Sequence, residues 1–455
     1  MDISRRHLVS TLGASVALGL GSAPRPALAA PLTSMLGRDA AQYGVRANSS
    51  DDQTRVLQRA INEAASVQMP LALAPGNYRT GPLDLPNGAQ IVGVRGASKL
   101  IFTGGPSLFT GTGADHLGLT NLTLDGANIP LPDRRGLVHC LSGRDVRVTD
   151  CEIVNSGGNG VWFESVAGEV RGNTIRKIAN TAIVSFDALG LLVAQNTISD
   201  ASDNGIEILR NVISDDGSMV IDNRIENIKA GAGGSGQHGN AINAFRANNV
   251  IVRGNRIRDC DYSGVRGNSA SNIQIIGNSI SNVREVALYS EFSFEGAIIM
   301  GNTVDICATG VSVCNFNEGG RIAVVQGNIL RNILPKRPIG TAPDDDGGVG
   351  IYIEADSAVT GNVIENAPSC GIVSGWGEYL RDITINANVI RNSFVGIGVS
   401  VVRGTGTTVV NANMISNAPR GAIVGYDHAK PVTGDLTVTG ASAFPRIVLS
   451  GNAVQ

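Results

Sequence analysis

Apolar and polar residues alternate along most of this chain in runs of four or five, and the runs close on glycine, asparagine or aspartate. Alternation at a period of two predicts short strands, and the residues between them predict turns. The stretch from Ile251 to Asn268 shows the grammar. An alternating run leads to Gly254-Asn255-Arg256-Ile257, then a polar turn, then Gly264-Val265-Arg266-Gly267-Asn268. The second strand of this unit recurs at Gly160-Val161, Ala182-Ile183, Gly205-Ile206, Ala241-Ile242, Ala287-Leu288, Gly310-Val311, Gly350-Ile351, Gly371-Ile372, Gly396-Ile397 and Ala422-Ile423. No helical periodicity separates them.

A second signal gives the spacing. The phrase Asn-x-Ile, or a close variant, occurs eleven times, at Asn173, Asn196, Asn223, Asn255, Asn278, Asn302, Asn328, Asn362, Asn388, Asn413 and Asn452. Seven of the ten intervals lie between 23 and 27 residues. Strands of three to five residues repeating at that period predict an all-β solenoid, a single-stranded right-handed parallel β-helix. The asparagines are expected to be structural. Their amides stack in ladders, and asparagine tolerates the left-handed backbone of a tight bend. A parallel ladder is expected at Asn155, Asn227, Asn282, Asn332, Asn366, Asn392 and Asn417.

Before the repeats, Asp51-Asp52-Gln53-Thr54 leads into an apolar stripe of Val56, Leu57, Ala60, Ile61 and Ala64. This predicts a helix over about 51–66, capped by Asp51 or Asp52, that covers the open end of the solenoid. Pro75-Gly76-Asn77-Tyr78 and Gly81-Pro82-Leu83 follow. The helix, these two phrases and the coils together resemble pectate-lyase-like β-helix proteins across nearly all of the chain after residue 29. The resemblance implies the fold. For activity it implies only a class, because polysaccharide lyases, glycoside hydrolases and uronan epimerases share that fold.

Ser4-Arg5-Arg6-His7-Leu8-Val9 is a twin-arginine motif, and Ala27-Leu28-Ala29 is a small-x-small cleavage site. Residues 1–29 are expected to be a signal peptide cleaved after Ala29, leaving one domain over 30–455. The expected partner in export is the twin-arginine translocase and the expected location periplasmic or secreted. With the signal combined, the chain resembles exported bacterial β-helix repeat proteins whose activity is not established. Of 36 basic and 39 acidic residues the signal holds three and one, so 33 and 38 remain, a net of about −5. That balance gives no footprint for nucleic acid, and no stretch after the signal is long and apolar enough to span a bilayer. Among the six cysteines, repeat alignment leaves Cys140 with Cys151 as the one pair worth testing for a bridge.

The chemistry is expected on the outward positions of the second strand. Two long insertions, Lys229–Gly239 and Pro335–Gly348, interrupt the same turn and should wall a floor formed by the coils at Gly264, Ala287 and Gly310. Outward positions carry Trp162, Glu207, Asn243, Arg266, Tyr289 and Tyr352 in one column, and Phe245, Glu291 and Glu354 in the next, with Arg246 adjoining. Aromatic faces stack on sugar rings, and carboxylates supply acids and bases.

Glu291 and Glu354, two coils apart, should sit roughly 10 Å from each other at about 4.8 Å per coil. That approaches the separation of about 6.5–9.5 Å used by inverting glycosidases. His238 reaches in from a wall, and Arg266 with Tyr289 offers a proton-abstracting pair for a lyase. Asp344-Asp345-Asp346 are acidic enough for calcium but match no recognised loop. The motifs of polygalacturonases are missing, and Gln237-His238-Gly239 is a distant echo of one. The sequence therefore points to a glycoside hydrolase or polysaccharide lyase acting on a polysaccharide or oligosaccharide. Its alternatives are a non-catalytic glycan-binding protein or a structural envelope repeat protein.

Overall fold

The computed structural model describes residues 37–234, 236–338, 341 and 346–455. Arg5, Arg6 and the cleavage site after Ala29 lie outside the described residues, as do Asp344 and Asp345. The chain winds as a parallel β-helix, with strands facing their counterparts in the coils before and after. One sheet holds 16 strands, from Arg38–Asp39 to Ile447–Ser450. The other holds 28 strands in two runs. The runs merge where Val363–Ser374 and Val389–Ser400 pass continuously from one into the other. One run follows the Asn-x-Ile phrase and the other is the predicted second strand. Inward residues are apolar, as at Phe163, Ile208, Ala244, Val313 and Ile353, and form a continuous core.

The asparagine column is present from end to end. The backbone N–H of each ladder asparagine from Asn173 to Asn413 donates to the side-chain oxygen of the next, as from Asn255 to Asn278 (2.9 Å) and Asn278 to Asn302 (2.9 Å). Each side-chain nitrogen also donates to a backbone carbonyl of the preceding coil, Val252 for Asn278 (3.1 Å). Every buried amide here is satisfied by its neighbours, so the column clamps rung to rung. One expectation is corrected. These asparagines do not themselves turn left-handed; the residue before each does, as at Gly172 (φ 70°), Gln195 (57°) and Ala387 (54°). The exposed second ladder has the left-handed asparagines, including Asn227, Asn366 and Asn392.

Helix α1, Thr54–Ser66, buries Leu57, Ala60, Ile61, Ala64 and Ala65 against the first coils, and Val56 packs at its margin. Asp52 accepts from the Thr54 N–H at 2.9 Å and holds its first turn. The far end closes differently. Gly421–Asp427 pairs antiparallel with Lys430–Asp435, and helix α2, Leu436–Thr439, folds over the last coils with Leu436 buried. Antiparallel pairing stops the ladder by turning its last edge back on itself. Among the described residues no helix is long and apolar enough to cross a membrane.

Candidate functional site

The second-strand run places the outward residues in the expected columns. His139, Trp162, Val184, Glu207, Asn243, Arg266, Tyr289, Ser312, Tyr352 and Val373 face one another rung by rung. Glu164, Phe186, Leu209, Phe245, Asn268 and Glu291 form the adjacent column. Pointing outward here does not mean exposed. The walls lie on the floor instead of beside it, and this corrects the expected open cleft.

The Lys229–Gly239 insertion crosses the face so that Gly236 rests against the Arg266 guanidinium. Beneath it Arg266 is buried. Its Nε donates to Glu291 Oε1 at 2.6 Å, its Nη1 lies 3.7 Å from Glu285, and its guanidinium stacks 4.9 Å over the Tyr289 ring. Asn268 adds a further bond to Glu291 at 2.9 Å. Burial raises Glu291 above the usual carboxylate range while the Arg266 charge opposes the rise. Tyr289 is pushed well above a free phenol, first by burial and then by the Cys314 and Glu291 charges. A base must reach solvent or substrate, and this pair reaches neither.

Glu354 is also enclosed. Tyr352 donates to it at 2.6 Å, and the Phe316 N–H, from the short turn Phe316–Glu318, donates at 2.6 Å. Burial raises its pKa. The turn sits over Glu354, so the Glu291–Glu354 pair does not flank an open water. In the second insertion the backbones of Lys336 and Asp346 form an isolated antiparallel β-bridge, and Arg337 lies 4.0 Å from Glu285. Asp346 is exposed, and among the described residues no group of His, Cys, Asp or Glu is placed to hold a metal ion.

Chemistry gathers one wall earlier. His238 Nδ1 lies 2.6 Å from Asp203 Oδ1. Asn204 Nδ2 donates both to Glu207 Oε1 and to the Gln237 carbonyl, each at 2.9 Å, tying the wall to the Asp203-Asn204 turn. Glu207 is half-buried on the outer face. Burial, and after it the Asp203 charge, pushes it up to about 8, against hydrogen bonds from Thr181 and Asn204. It therefore keeps its proton at neutral pH. Burial raises Asp203 as well, and His238 pulls it back.

On the N-terminal side of Glu207, Arg134 lies 4.9 Å over the Phe186 ring and 5.6 Å over Trp162. On the other side, Arg246 lies 4.7 Å over Phe245 and donates to the Asn211 carbonyl at 2.8 Å. Asn243 is buried, and its Oδ1 has no protein partner among the described residues. Trp162, Glu207, Asn243, Phe245, Arg246 and His238 thus share one stretch of the face. Arg266, Tyr289, Glu291, Tyr352 and Glu354 belong to the covered stretch after it.

Asp203, Glu285, Arg134 and His139 were not singled out from sequence, yet two of them leave a trace. The slot two residues before each second-strand Gly or Ala, taken from residue 158 to residue 420, is acidic only at Asp203 and Glu285. All six cysteines are free, including Cys140 and Cys151. Burial raises these two to about 12.

The profile of the right-handed β-helix region matches residues 109–236 and 211–390. This chain belongs to that family. No curated protein matches it in sequence. Among solved structures it is similar to the N-terminal fragment of bacteriophage phi29 gene product 12, with 14% identity, 86% of this chain and 69% of that one covered, and a TM-score of 0.55. It is also similar to the catalytic unit of the GH87 α-1,3-glucanase from Streptomyces thermodiastaticus strain HF3-3 (15% identity, 95% and 70% covered, TM-score 0.48). A third is the A-module of the Azotobacter vinelandii mannuronan C-5 epimerase AlgE4 (14%, 92% and 97%, 0.48). At 14% identity the likeness to the phi29 fragment shows the winding of the chain and nothing of its chemistry.

Proposed function

We propose that the mature chain is a polysaccharide-active enzyme, a hydrolase, that binds an extracytoplasmic glycan along the column from Trp162 to Asn243. The supporting observation is the carboxyl pair at Asp203 and Glu207. Glu207 holds its proton to about pH 8 beside an Asp203 that is paired with His238. A carboxyl protonated at neutral pH beside a second carboxyl paired with an imidazole can supply the acid and the base that cleavage of a glycosidic bond requires. In this reading Glu207 protonates the leaving oxygen. Asp203, oriented by His238, takes the proton of the attacking water. Phe245 and Arg246 line the next rung and Asn243 offers its amide to a hydroxyl. Arg266, Tyr289, Glu291 and Glu354 position the floor and do not touch substrate.

Incubating the mature protein with neutral and acidic polysaccharides and measuring new reducing ends tests this. Glu207→Gln and Asp203→Asn should each abolish product while the fold is kept. Unchanged turnover in Glu207→Gln refutes the assignment, and an unsaturated product absorbing in the near ultraviolet moves the enzyme to the lyases. A non-catalytic glycan-binding protein is the second reading, favoured by the enclosure of Glu291 and Glu354. It stands if glycan is retained and never cleaved. The twin-arginine motif supports export to the periplasm or beyond. Lysine at both Arg5 and Arg6 should hold the protein in the cytoplasm, and the exported form should begin at Ala30.

A further inference from the structure

Two rungs before Glu207, roughly 10 Å along the axis, the same outward column carries Trp162, and His139 lies one rung further. Both are more than nine-tenths buried, at 7% and 6% exposure. Neither Trp162 Nε1 nor His139 Nδ1 has a hydrogen-bond partner among the described residues. A buried polar atom left without a partner is costly, and such atoms on an outer face mark where another molecule supplies the bond. His139 is held neutral, near 4, by burial and then by the Arg135 charge. The pair thus offers one indole donor and one uncharged imidazole.

Over Trp162 lies Arg134. Its guanidinium spans the Trp162 and Phe186 faces, it is exposed, and no carboxylate pairs with it among the described residues. Its segment is anchored underneath. The Arg135 carbonyl accepts from the Asn159 side chain at 3.0 Å, Leu131 donates to Gly157 at 3.3 Å, and Pro130 bridges to Gly157. The side chain can swing away while the backbone stays. An arginine on an aromatic face at an exposed site is held weakly.

We propose that His139 and Trp162 form a distal sugar subsite and that Arg134 occupies the place of the sugar ring until ligand displaces it. One sugar ring stacks on the indole face, and hydroxyls of the adjoining sugar residue bond Trp162 Nε1 and His139 Nδ1. This inference rests on the glycan reading above but not on catalysis. It implies a ligand long enough to reach from Glu207 across two rungs, so a polymer or long oligosaccharide.

The test uses the full mature chain with Trp376→Phe, which leaves Trp162 as its one tryptophan. Cellohexaose and hexagalacturonate are titrated against Trp162 emission, with the matching disaccharides as short controls. At least one hexasaccharide should shift the emission saturably while its disaccharide does not. Arg134→Ala should bind that hexasaccharide about two- to five-fold tighter, because a competing cation–π contact has gone. Trp162→Phe keeps the ring and loses the donor, so calorimetry should show about three- to ten-fold weaker binding with an unchanged denaturation midpoint.

Emission that responds to neither hexasaccharide overturns the proposal, and so does looser binding by Arg134→Ala. Turnover that survives Glu207→Gln sinks the catalytic assignment alone, because the Trp162 response is read without turnover.

Discussion

Replacing Glu207 with glutamine tests the electrostatics of the site without needing a substrate. Glu207 titrates near 4.5 when free and near 8 in the fold. Below pH 4.5 folded and unfolded chains both hold the proton and full stability is present. Between 4.5 and about 8 the folded chain keeps a proton that the unfolded chain has released, so stability falls as pH rises. Above 8 the loss is complete. At 1.36 kcal/mol per unit this rise has a ceiling on the order of 5 kcal/mol. Because Glu207 is only half-buried, solvent screening brings the observed value below that ceiling.

Glutamine keeps an oxygen to accept from Asn204 and never ionises. Urea denaturation followed by far-ultraviolet circular dichroism at pH 5, 7 and 9 should give nearly equal midpoints at pH 5. The variant should gain an increasing advantage toward pH 9, by at least about 2 kcal/mol. Parallel curves across that range would refute the protonated Glu207, and with it the proposed acid.

The other predictions address structure around the site. Asn278→Ala removes an amide that joins three coils, leaving buried groups of Asn255, Val252 and Asn302 short of partners, and should cost about 3 kcal/mol in denaturation. Asn392→Gly on the exposed ladder loses its bonds to Asn366 and Asn417 but suits the left-handed backbone, so the same measurement should change by under about 1 kcal/mol. Arg266→Met strands the buried Glu291 carboxyl and should cost about 3–5 kcal/mol, and adding Glu291→Leu should recover most of it. In native protein a thiol reagent should reach Cys314 at most, whereas denatured, unreduced protein should show all six thiols. Fewer than six would mean a bridge.

The winding, the columns and the ladder were legible because each follows from local chemistry repeated in register. A period of two sets which side chains face out, and a constant repeat length sets which ones share a column. The asparagine phrase could be read as structural for the same reason, although which residue of it bends left-handed was not visible. Gly fills that position most often, but Gln195, Asp222, Ala387 and Ala412 take the same left-handed bend, so the clamp holds it even where the residue disfavours it. The C-terminal hairpin over Gly421–Asp427 was missed because it breaks the period on which the reading depended.

The candidate chemistry was legible only in part, and the difference between Glu207 and Glu291 shows why. Both stand outward on the same run of strands, and both are raised by burial. Insertion length announces a wall at Lys229–Gly239, but not the rung on which the wall comes to rest. It rests on Arg266, one rung past its own coil, and that contact seals Glu291 into an ion pair. Among the described residues no arginine pairs with Glu207. Its charged neighbour is an acid, Asp203, and that like charge adds to burial in holding a proton on it at neutral pH. An outward glutamate is therefore a poor guide to a working acid in such a coil. A better one is an outward glutamate with another acid in the turn leading to it. In this chain Glu207 satisfies that through Asp203. Glu291, which has Glu285 in the equivalent turn, has Arg266 between them to cancel the effect.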